Sequence, residues 1–182
     1  MEETQSPIQA AVKPGLTIGL IALALTFIIY FIDSGSLISA WFGFANLAIF
    51  FALIFYFGRQ YRNELGGFIN FGDAFKFSFV TILISGLVGT LGQMLLYHVV
   101  DPSLPQLLAE QSLENTLATM ERFGASADAL GPEQLDEMRT GVEESFTVTG
   151  QVKAFGIALI LYAIVALIVA AILKKKDKSL DY

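Results

Sequence analysis

Few side chains in this sequence could do chemistry, and the most telling are two amides. Asn46 and Gln93 stand inside stretches otherwise almost free of polar groups. A polar side chain in such a setting is a candidate lining for a solute path. More often it is a hydrogen-bonding contact to a neighbouring helix, worth roughly 0.6–2 kcal/mol. Asp73 and Lys76 lie one helical turn apart. They could make a charged gate or docking point. They could also be an i,i+3 ion pair of a few tenths of a kcal/mol that anchors a helix entry. His98 is the single histidine and there is no cysteine. A zinc site takes three or four protein ligands, so His98 alone makes none. With Asp101 it could form at most a weak acid–base pair. Phosphate-binding glycine loops, Gly-x-Ser-x-Gly and His-Glu-x-x-His do not occur. The expectation is a non-enzymatic protein with no catalytic, cofactor-binding or metal-binding residues.

The elements that must carry these side chains are written in the charge distribution. Hydrophobic residues make up 54% of the 182 and charged residues only 15%. Soluble domains carry about 25% charged residues. Asp, Glu, Lys and Arg are missing from four windows: Gly15–Ile32, Leu37–Phe57, Phe77–Tyr97 and Ala154–Leu173. The lengths are 18, 21, 21 and 20 residues. A hydrocarbon core of about 30 Å needs about 20 helical residues. A water-soluble chain of this size could not bury four such runs at once. Barrel strands are ruled out because the windows show no alternation. The predicted fold is all-α: an integral membrane four-helix bundle, one domain over 1–182, with the lipid bilayer as its solvent.

Lys and Arg in short loops set topology. Lys13, Arg59, Arg62, Lys76, Lys174, Lys175, Lys176 and Lys178 fall on one side of the predicted crossings. Only Arg122, Arg139 and Lys153 fall on the other. Both termini are therefore expected in the cytoplasm. The outer 98–153 segment carries ten acids, from Asp101 through Asp128 to Glu144. With a net charge of −6, nucleic acid is not an expected partner.

Between the windows, Asp33–Ser36 reads as a tight turn, and Pro14 as a residue of the first turn of helix one. Residues 1–12 read as a polar tail. Phe68, Phe71, Phe75 and Phe79 recur at helical spacing, so 68–76 is expected to lie as an interfacial helix, or in part to begin helix three. The outer segment, about 103–147, reads as two amphipathic helices. Leu104, Leu107, Leu108, Leu117, Met120 and, more loosely, Leu113 stripe the first, which Gly124 stops; Pro132 opens the second, followed by Leu135, Met138, Val142 and Phe146. Such a pair is too small for its own core and should pack on itself or on the membrane face. Gly15 with Gly19, Ser85 with Gly89, and Gly86 with Thr90 put small residues four apart, as in close helix contacts within the bundle or a dimer. Thr26, Ser78 and Thr81 are expected to bond back to a carbonyl one turn earlier.

Three stretches carry a resemblance. The chain opens Glu-Glu-Thr-Gln-Ser-Pro-Ile-Gln-Ala-Ala; residues 61–76 read Tyr-Arg-Asn-Glu-Leu-Gly-Gly-Phe-Ile-Asn-Phe-Gly-Asp-Ala-Phe-Lys; the last helix ends Val-Ala-Ala-Ile-Leu-Lys-Lys-Lys. Nearly the whole chain resembles the bacterial membrane-protein family known as domain-of-unknown-function family 4199. The resemblance implies four membrane helices and a bacterial inner (cytoplasmic) membrane location. It brings no activity and no functional residues.

On these grounds the expected role is that of a multi-pass structural or accessory protein with a protein partner. The alternative is a small transporter or channel, formed as a homo-oligomer and lined by Asn46 and Gln93. A membrane enzyme is the third reading, and no residue can be named for it.

Overall fold

A computed structural model describes residues 5–124 and 130–176. Met1–Thr4 of the expected polar tail, and Asp128 and Lys178 of the charge reading, lie outside the described residues. The described chain is all-α, with six helices. They are α1 (Pro7–Ile32), α2 (Ala40–Glu64), α3 (Phe71–Leu95), α4 (Leu104–Arg122), α5 (Pro132–Ser145) and α6 (Val148–Leu173). Helices α1, α2, α3 and α6 are long and apolar enough to cross a membrane. Gln5, Tyr61, Ile69 and Lys175 meet at one end of the bundle, the terminal end. The α4–α5 hairpin caps the opposite, hairpin end.

Helix α1 starts earlier than its uncharged window. The Ser6 hydroxyl accepts the Gln9 N–H at 3.3 Å, and Gln9 Oε1 accepts the Ser6 N–H. Pro7 fills the first helical position. With the start fixed there, Pro14 falls inside the helix rather than at its first turn, and residues 7–12 are helix rather than tail. Lacking an N–H, Pro14 cannot bond to Ala10. One residue on, the Thr81 hydroxyl of α3 donates to the Ala11 carbonyl at 3.5 Å. Thr81 therefore bonds across helices, not back along its own. Ser78 is fully buried and its hydroxyl has no partner among the described residues. Thr26 does bond back, to Ala22 at 3.0 Å.

Helix α3 is the spine, packed along α1 on one side and α6 on the other. Glycines permit the close approach. A Cβ on Gly15 would lie 2.8 Å from Ile84 Cβ, and one on Gly19 2.7 Å from Val88 Cβ. Gly86 meets the Tyr162 ring of α6 in the same way. Gly89, expected to pack, has open space beside it. In lipid no hydrophobic drive pulls helices together, so such contacts supply much of the association.

Helix α2 is held chiefly near the terminal end. Ile54, Gly58 and Tyr61 are buried there, with Gly58 against Leu173. Only 11% of the apolar window of α2 is buried, against 28% for the α3 span, so α2 stands apart from the others along much of its length.

The hairpin end has a separate apolar cluster. Leu104 and Leu108 of α4 are buried with Leu96 and Tyr97, and Phe27, Tyr30 and Phe146 pack around them. The expected amphipathic pair is thus seated on the bundle as well as on itself. The 96–100 segment is a widened π-turn, closed by the Asp101 N–H on the Leu96 carbonyl at 2.9 Å. It turns Leu96 and Tyr97 inward and leaves His98 exposed.

Candidate functional site

Three places gather polar or charged groups. At the terminal end, Gly66 and Gly67 take positive φ angles of 83° and 90°, which L side chains rarely adopt, and they reverse the chain after α2. The reversal brings Ile69 beside Lys175. Each backbone donates to the other, at 3.1 and 2.9 Å, in an antiparallel bridge. Residues 66–70 are therefore not helical, and the expected interfacial helix reduces to the first turns of α3. The tail competes for the backbone groups that a helix would have used.

Around that bridge, Arg62 Nη1 donates to the Leu173 carbonyl at 3.2 Å, capping α6. Lys175 Nζ lies 5.4 Å from the Phe68 ring centre and Lys174 Nζ 6.0 Å from that of Phe71. The Tyr61 ring stacks on Phe77 at 4.9 Å, and its hydroxyl donates to the Gln5 carbonyl. Asn70 caps α3, its Oδ1 accepting the Asp73 N–H at 2.9 Å and its Nδ2 donating to Asp73 Oδ2 at 2.6 Å. Lys76 Nζ meets Asp73 Oδ1 at 3.4 Å. The Asp73–Lys76 pair is local to the α3 entry and exposed. This end of the molecule is a clasp joining both chain ends to the 65–70 loop, with a basic rim.

The second place is a lipid-level crevice of about 290 Å³ where α2 stands away from α1 and α3. Ile18, Gly43, Asn46, Leu47, Phe50 and Ser85 are among its lining residues. The Asn46 amide donates to the Phe42 carbonyl of its own helix at 3.3 Å. Gln93 is exposed near the end of α3 and does not line this crevice. The structure thus does not bring the two amides onto one path.

The third place is the hairpin. Asp101 holds its base. One oxygen accepts the Ser103 hydroxyl at 2.6 Å and the N–H groups of Ser103 and Leu104; the other accepts the Tyr30 hydroxyl at 3.1 Å. The carboxylate is spent on the start of α4 and on α1, not on His98. Chiefly the Ser103 hydroxyl keeps its pKa below the ordinary 3.8. A depressed carboxylate stabilises the fold above its unfolded pKa, and that contribution is lost as pH falls through the folded value. The pH must therefore fall below the ordinary carboxylate value of 3.8 before the tie opens. Asp101→Ala should open it at neutral pH, with hydrogen exchange of the Ser103 and Leu104 amides about fivefold faster, the factor for a lost helix cap. Unchanged exchange there would refute the capping role.

At the other foot of the hairpin, Lys153 Nζ lies 2.5 Å from Glu144 Oε1 and lowers that carboxylate's pKa. The buried Gln151 amide donates to the Phe146 carbonyl at 3.1 Å. Between α4 and α5 runs a groove of about 410 Å³. Leu113, Leu117 and Ala109 are among its apolar lining, and Glu110, Glu114, Glu121 and Glu143 are its acids. Among the described residues, no three His, Asp or Glu groups lie close enough to hold a metal ion.

The profile of a family described as "Protein of unknown function (DUF4199)" matches residues 13–175. The chain belongs to this family. The match runs from Lys13 in α1 to Lys175 in the bridge, so it covers the crevice, the hairpin and all of the clasp but Gln5. No curated protein and no solved structure matches the chain. Two of these features were out of reach of sequence reasoning. Nothing periodic marks Ile69 and Lys175 as bridge partners. The Tyr30–Asp101 bond joins residues 71 apart.

Proposed function

We propose that this member of the family is a non-enzymatic accessory protein that docks a protein partner on its hairpin. It sits in a bacterial cytoplasmic membrane with both termini inside. The supporting observation is the state of α5. Its apolar residues Leu135, Met138 and Val142 keep part of their surface open, none of its residues is buried, and Phe123, just after α4, is 87% exposed. A hairpin whose second helix has no buried residue, and which leaves an aromatic ring in the open, offers a partner apolar surface to pack on. Meanwhile Asp101, Leu104, Leu108 and Lys153 fix the hairpin's base to the bundle, which suits a rigid platform. The channel reading draws on the crevice at Asn46. Its lining is nearly all apolar, and Gln93 is not part of it.

One experiment tests partner and orientation together. Lys153 is exposed at the hairpin end, whereas Lys174, Lys175 and Lys176 lie at the terminal end. A membrane-impermeant amine crosslinker is added to intact spheroplasts. Lys153 should be modified and give a discrete adduct with another protein, while Lys174–Lys176 react only after lysis. Preferential labelling of the terminal lysines in intact cells would overturn the orientation. Lys153 labelled with the chain always recovered alone would overturn the partner.

A further inference from the structure

We infer that the α4–α5 groove receives a cationic amphipathic helix of the partner; this rests on the docking reading above and names the partner's chemistry. The groove combines two features. Its floor is apolar, with Leu113 and Leu117 spaced one helical turn apart and partly exposed. Its edges carry Glu110, Glu114, Glu121 and Glu143, against Arg139 alone. Across 103–147 the sequence holds nine acids and two bases. Apolar anchors at helical spacing with a charged border are the complement of an amphipathic helix laid in a groove.

Charge selects among occupants. A second copy would bring an equally acidic hairpin to the same face and be repelled. An anionic lipid surface is repelled for the same reason. A helix with an apolar stripe flanked by Lys or Arg satisfies both floor and edges, and the exposed glutamates steer its approach. Neither Arg139 nor any of the four groove glutamates forms an ion pair among the described residues, so the edges are available.

The test uses the full chain in nanodiscs of zwitterionic lipid. The probe is a 14-residue Leu/Lys peptide with an amphipathic pattern and a photoreactive residue on its apolar face. Binding above protein-free discs should saturate at one peptide per chain, with photoadducts on Leu113 or Leu117. Glu110→Gln, Glu114→Gln, Glu121→Gln and Glu143→Gln together should weaken binding about tenfold, as four exposed charge pairs would. Being exposed, these substitutions leave the fold intact. A peptide of the same composition with its stripe scrambled should bind about tenfold more weakly. Equal binding by the four-glutamine variant would overturn the inference, as would equal binding of the scrambled peptide or adducts elsewhere. Should the Lys153 crosslink still capture a partner while these fail, the docking reading stands and the cationic helix alone is lost.

Discussion

Valine at both Gly15 and Gly19 is expected to destabilise the bundle by about 2–6 kcal/mol, the sum of two overpacking events at about 1–3 each. At Gly15 the new Cβ would meet Ile84 Cβ at 2.8 Å and the Thr81 carbonyl oxygen at 3.0 Å. At Gly19 it would meet Val88 Cβ at 2.7 Å and the Ser85 oxygen at 3.1 Å. Backbone oxygens and branch points cannot swing away as a flexible side-chain tip can. Helix α1 must shift off α3, which also pulls Ala11 from the Thr81 hydroxyl. Gly89→Val is the internal control. It sits on the same α3 but meets nothing within 4 Å. Unfolding in graded detergent mixtures checks both. If the double variant unfolds with the control, the glycines are not contact points and the α1–α3 seam is misassigned.

These two glycines show what the sequence could and could not say. Their spacing marked them as packing residues because small side chains four apart share a helix face. The same spacing marked Ser85 with Gly89, and there Gly89 faces open space. Spacing names a face but not what stands opposite it. The four uncharged windows located the four long apolar helices because a run without ionic groups over such a length marks a lipid-compatible helix whatever the tertiary packing. Helix ends ran past the windows, at Pro7, Glu64 and Phe71. A helix keeps propagating in water once nucleated, until a cap such as Ser6 or Asn70 stops it.

The candidate site was legible in part. The apolar stripe of α4, the Gly124 stop and the Pro132 start were all readable locally. That Asn46 and Gln93 do not share a path is a matter of where α2 stands, and hydropathy carries no such information. The Asp101 tie to Tyr30 depends on a π-turn that rotates the chain after Leu96. A single extra residue per turn leaves no periodic trace. The clasp was missed because its decisive contacts are backbone hydrogen bonds and carbonyl caps. Those belong to no side-chain pattern.

Phe77→Ala probes that clasp at its most buried point and should destabilise the chain by about 3 kcal/mol, the low end for burying an alanine where a core phenylalanine stood. The low end applies because the competing solvent near this end is partly lipid, so the loss is one of packing more than of transfer. Phe77 is fully buried and stacks on Tyr61 with ring planes 13° apart. Removing the ring frees Tyr61, whose hydroxyl holds the Gln5 carbonyl, and loosens the cluster of Ile69, Ala74 and Leu173 behind it. The Ile69–Lys175 bridge should therefore weaken although neither partner is changed. Hydrogen exchange at the Ile69 and Lys175 amides reads this directly. Leu91→Ala, at an exposed side chain on the same helix away from the clasp, should leave both amides protected. Equal protection in Phe77→Ala and wild type would mean that the bridge stands by itself, and that the two chain ends are not held as one unit with the bundle core.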